Sequence, residues 1–110
     1  MASAADFLPK VQSYRPDADE AAVAGIVKHL GIALQNPNGD AALVSCSDKS
    51  ELERVRESWL KKKLNRSESD ADLDAAIEDV CKTMSADNRK SRVTFYYLLA
   101  EKYSVLADLH

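Results

Sequence analysis

In Ser45-Cys46-Ser47-Asp48 a thiol stands at the entrance of a helix that Ser47 or Asp48 would cap, and the peptide dipoles at a helix start lower a thiol pKa toward the reactive thiolate. Cys46 is therefore the candidate reactive thiol, suited to nucleophilic or redox chemistry. Asp48 works against it, because a neighbouring carboxylate disfavours a thiolate. No second cysteine stands nearby in the sequence to resolve an oxidised Cys46. Cys81, the other cysteine, follows Leu73 and Ile77 at intervals of four and reads as a small core residue. Two cysteines are too few for a disulfide framework, and a reducing compartment would leave both as thiols.

A second chemistry is anion binding. Asn88, Arg89, Lys90 and Arg92 fall in the first turns of the last expected helix, where positive charge is unfavourable unless an anion or an acidic partner offsets it. They form a candidate site for a phosphate, a nucleic-acid backbone or an acidic protein surface. The alternative is a solvated face paired with nearby Asp and Glu. Lys61-Lys62-Lys63, by contrast, closes the third expected helix and complements its dipole. A formal charge of -3 argues against a general nucleic-acid binder, whose affinity comes from neutralising phosphates.

Other chemistries find no support. His29, His110, Cys46 and Cys81 never approach zinc-ligand spacing. Asp70, Asp72 and Asp74 resemble the start of a calcium loop, but Ala75 and Cys81 stand where Gly and a bidentate Glu are needed. Those acids suit the positive end of a helix. Gly25, Gly31 and Gly39 fit no phosphate-cradling loop. His29 lies just before Gly31, where a cation suits a helix C-terminus, so it is not assigned to a catalytic triad. No catalytic residue, metal or cofactor is assigned.

The elements that must position these residues are helical. Asp6 precedes Phe7, Leu8 and Val11 in a short first helix to about Tyr14, with Pro9 expected in its first turn. Asp17 and Glu20 have capping-box spacing ahead of Val23, Ile26, Val27 and Leu30, and Gly31 should stop that helix. Between Ile32 and Ser47 the turn signal Asn36-Pro37-Asn38-Gly39-Asp40 allows a small hairpin, although a loop packed on helices fits better. Leu52, Val55, Trp59 and Leu60 mark a third helix ending near Leu64 or Asn65. Leu73, Ala76, Ile77, Val80, Cys81 and Met84 mark a fourth. Val93, Tyr96, Tyr97, Leu99, Ala100 and Tyr103 mark the buried side of a fifth, with Leu98 off it. Residues 105 to 110 either fray or dock.

The expected fold is all-α, a bundle of about five helices in one domain over residues 1–110. Phe95, Tyr96 and Tyr97 are consecutive and fan over more than half the helix circumference. Either the fifth helix is central, or Tyr96, Tyr97 and Tyr103 offer an aromatic face to a partner. No apolar run approaches the roughly 20 residues of a spanning helix, and the first residues lack an export signal, so a cytoplasmic protein without a membrane partner is expected.

Val44-Ser45-Cys46-Ser47-Asp48, Leu60-Lys61-Lys62-Lys63-Leu64 and Arg92 through Glu101 (RVTFYYLLAE) resemble a family of small uncharacterised bacterial proteins, domain of unknown function family 2853. The resemblance covers nearly the whole chain and implies a bacterial cytosolic origin and a mainly helical fold. It implies no activity, cofactor or partner. With helical faces to offer and no active-site constellation, a non-enzymatic interaction or regulatory module is the leading expectation. Anion or nucleic-acid binding and a thiol-based sensor or enzyme are the alternatives.

Overall fold

In the computed structural model, which describes residues 3–34 and 42–109, short polar side chains start the helices by replacing missing backbone partners. Helix α1 (Ala4–Gln12) follows Ser3, whose N–H donates to the Asp6 carboxylate at 2.8 Å. Helix α2 (Glu20–Leu30) is capped by Asp19 rather than Asp17, its carboxylate accepting the Ala22 N–H at 3.2 Å. Asp48 caps α3 (Lys49–Arg54), accepting from the Ser50 and Glu51 N–H groups at 2.9 and 3.3 Å. Ser69 and Ser91 do the same for α4 (Asp70–Thr83) and α5 (Arg92–Lys102). Because α1 begins two residues before Asp6, Pro9 sits in its second turn, at an exposed position of a short helix. Gly31 ends α2 with a φ of 47°, a backbone glycine adopts readily, and a 3-10 turn follows over Gly31–Leu34.

The third helix is not α-helical throughout. After Arg54 it widens into a π-helix over Val55–Lys63 and closes through the Leu64 N–H, which donates to the Trp59 carbonyl at 2.8 Å. Its fully buried Trp59 and Leu60 follow Val55, also fully buried, by four and five residues, the intervals that i→i+5 winding brings to one face. Asn65 then turns the chain at a φ of 57°, a region Asn tolerates better than most residues.

Leu43–Val44 forms strand β1, but its partner is distant. It pairs antiparallel with β2 (Lys90–Ser91), Leu43 opposite Ser91 and Val44 opposite Lys90. The Asn36–Asp40 turn lies outside the described residues, and the segment expected as the other arm of a hairpin is the 3-10 turn. Leu34, Ala42 and Val44 are buried against the helices, as a packed loop requires. The strand pairing delays the last helix to Arg92, so Arg89 and Lys90 precede α5 instead of opening it.

Helix α5 is the centre of the core. Every residue from Arg92 to Ala100 is buried, Leu98 included, because α1, α2 and α4 surround the helix. The buried cluster runs from Phe7 to Leu109. The end of the described chain docks as a 3-10 turn, Leu106–Leu109, against α2. A Cβ on Gly25 would lie 1.8 Å from the Leu109 carbonyl oxygen, so only glycine permits that approach. The fold is 68% helical, with one small two-stranded sheet among the described residues. Among those residues no helix is long and apolar enough to cross a membrane.

Candidate functional site

The pairing of β1 with β2 brings two of the expected sites together. Leu43 to Ser47 form one wall of a cleft of about 590 Å³, and Asn88, Arg89 and Lys90 form the other. The volume falls within the range typical of small-ligand sites. Arg89 is exposed and Lys90 half-buried, with the Lys90 ammonium donating to the Asp87 carbonyl at 2.9 Å. Ser45 and Ser47 hold their hydroxyls 3.2 Å apart beside Cys46. Among the described residues no carboxylate lines the cleft. Asp48, which would oppose an anion there, is turned into the α3 cap.

Arg92, the fourth residue of the expected anion site, is elsewhere. It is 7% exposed, and its guanidinium donates to the Glu51 carboxylate, to the Leu43 carbonyl at 2.8 Å and to the Tyr96 hydroxyl at 3.2 Å. Arg92 thus ties β1, α3 and α5 together and is unavailable to a ligand. Glu51 was the signal that sequence reading passed over: it lies four residues before Val55, on the apolar stripe, where an acid needs a buried counter-charge.

The cysteines are joined. Cys46 and Cys81 form a disulfide with Cα atoms 6.0 Å apart, correcting the expectation of two separate thiols. The turn at Cys46 leads directly into the α3 cap at Asp48, and the bond holds this loop against α4. A separation of 35 residues hides the proximity from any local reading. Both cysteines are half-buried at the core margin, and Cys46 lines the cleft.

The aromatic residues are turned inward. Tyr96 is 3% and Tyr97 2% exposed, so neither offers a contact face. The Tyr96 ring stacks on Trp59 at 4.6 Å between centroids, and its carbonyl accepts the Trp59 indole N–H at 3.2 Å. The Tyr97 hydroxyl accepts the Asp19 N–H at 2.8 Å, fixing α5 to the start of α2. Burial raises the Tyr97 pKa. Tyr103 is half-buried beneath the Arg66 guanidinium, 4.5 Å from the ring centroid.

Lys61 is engaged by Glu57 and Asp70 at 2.9 and 2.6 Å, and none of Lys61, Lys62 or Lys63 lines the cleft. Asp70 and Asp74 also face Arg56, so these acids serve ion pairs around the start of α4. His29 packs on Trp59 at 5.2 Å between ring centroids. That partial burial, helped by the Lys63 charge, lowers its pKa below the ordinary 6.5, opposite to the effect of a helix C-terminus alone.

A central helix wrapped by others and braced by a small two-stranded sheet defines a small, mainly α-helical protein class. Residues 6–107 match the model of the family described as a protein of unknown function, DUF2853, and the chain belongs to that family. A comparison with curated proteins finds no match.

Proposed function

We propose that the protein is a non-enzymatic interaction module of the bacterial cytoplasm that binds an acidic segment of a partner protein in the cleft between Leu43–Ser47 and Asn88–Lys90. The observation that carries this reading is the sign of the cleft. Arg89 and Lys90 line it with the neutral donors of Ser45, Ser47 and Asn88, with no lining carboxylate among the described residues, on a chain whose net charge is -3. A local cationic site on an acidic body attracts compact anionic groups and repels long polyanions. Acidic side chains on an extended peptide suit it better than a nucleic-acid backbone. The bacterial cytoplasm follows from the family resemblance.

The test is a fluorescence anisotropy titration with a labelled hexaglutamate peptide, alongside a single-stranded DNA oligonucleotide of equal length. The Arg89→Ala/Lys90→Ala variant should lose about tenfold in peptide affinity, corresponding to roughly 1.4 kcal/mol from one exposed and one half-buried charge. Raised salt should weaken binding in the wild type more than in the variant. Equal affinity in both proteins overturns the proposal, and preferential binding of the oligonucleotide transfers the site to nucleic acid.

A further inference from the structure

The disulfide is part of the wall of the same cleft. Cys46 lines it, Arg89 and Lys90 stand opposite, and Cys81 reaches Cys46 from α4. Cations lining the same cleft favour a thiolate there, whereas Cys81 lies in the last turns of α4, where the helix dipole opposes negative charge. The two sulfurs therefore differ in character. Exposed disulfides are the ones open to exchange, and this one is only partly buried at the cleft.

We propose that Cys46 is a thiol–disulfide exchange site for low-molecular-weight disulfides that carry carboxylates, with Cys81 as the resolving thiol. In the reduced protein the Cys46 thiolate attacks one sulfur of the small disulfide RSSR. The S–S bond of RSSR breaks, a Cys46–S–S–R mixed disulfide forms, and RS⁻ leaves and takes up a proton. The Cys81 thiolate then attacks Cys46 Sγ, displacing the second RS⁻ and closing the protein disulfide. Two electrons pass from the cysteine pair to RSSR, giving two molecules of RSH, and an excess of RSH drives both steps backward. Arg89 and Lys90 receive the carboxylates of R, which places the reacting sulfur beside Cys46.

This inference uses the cations of the proposed binding cleft but does not depend on an acidic protein partner. Reduced protein is mixed with 3,3′-dithiodipropionate, 2-hydroxyethyl disulfide or cystamine, which are anionic, neutral and cationic. Oxidation is followed by quenching and intact-mass analysis. Arg89→Ala/Lys90→Ala should slow the anionic probe about tenfold and leave or raise the rate with cystamine, as expected for steering by two local charges. The Cys81→Ser variant should stop at the mixed disulfide, located on Cys46 by peptide mapping, while Cys46→Ser should react slowly. Equal effects of the double variant on all three probes, or a faster reaction at Cys81, overturn the proposal. Selective exchange without hexaglutamate binding would leave the exchange site standing and remove the acidic-partner reading. Peptide binding without selective exchange would do the reverse.

Discussion

Truncating Arg92 would leave the buried Glu51 carboxylate with only the exposed Arg54 guanidinium, 3.3 Å away, as a counter-charge, since Arg92 and Glu51 are 7% and 9% exposed. Arg92→Ala should therefore destabilise the fold by up to about 3 kcal/mol, the low end for a broken buried pair, read from urea unfolding. Replacing the pair together, as Glu51→Leu/Arg92→Met, should cost much less, because no charge is then stranded. Equal losses in the single and paired variants would contradict this account. The Arg92 position also marks a limit of sequence reading. Arg89, Lys90 and Arg92 look alike as residue types near a helix start. What separates them is the Glu51 carboxylate, 41 positions away, which takes Arg92 inward and leaves Arg89 and Lys90 in the cleft wall. Asn88, Arg89, Lys90 and Cys46 were named as candidates from sequence alone; that the first three face Ser45, Cys46 and Ser47 across one cleft, and that Cys81 reaches Cys46, depends on long-range pairing.

The contact between α2 and the π-helical segment has its own pH signature. Packing on Trp59 and the Lys63 charge hold the His29 pKa below the ordinary 6.5. The folded state therefore binds fewer protons than the unfolded one just below that pH, and stability must rise with pH across this window. The contribution is complete above pH 6.5 and is lost as pH falls from 6.5 through the folded pKa. Thermal melts across this range should show a shallower pH dependence for His29→Gln than for the wild type, and parallel curves would rule the contact out as the cause. Among the elements, α2, α4 and α5 were legible because their apolar residues keep a 3.6-residue period. The π-helix was not, since Val55, Trp59 and Leu60 also fit an α-helical stripe until the backbone bonds are seen. Two-residue strands carry no alternation to detect, and the β1–β2 pair depends on segments far apart in the chain.

At the scale of the whole molecule, the Cys46–Cys81 bond closes a loop that contains α3, the π-helix and most of α4. A cross-link across 35 residues removes unfolded-state freedom worth about 4 kcal/mol in the chain-entropy account. Cys46→Ser/Cys81→Ser, or added reductant, should lower the guanidinium midpoint accordingly, and an unchanged midpoint would show that the bond leaves the unfolded ensemble unconstrained. The all-α bundle was legible from periodicity and capping. The pairing was not, because a compartment-based expectation of free thiols says nothing about which side chains the fold brings together. The same bond also sets how the molecule would bear tension. Pulled from its two ends, the oxidised chain carries the load along the backbone straight from Cys46 to Cys81, and the enclosed segment cannot be drawn out. Reduction inserts that segment into the line of pull, adding up to about 120 Å of contour length for the 35-residue separation, so the redox state of one bond determines the molecule's reach under load.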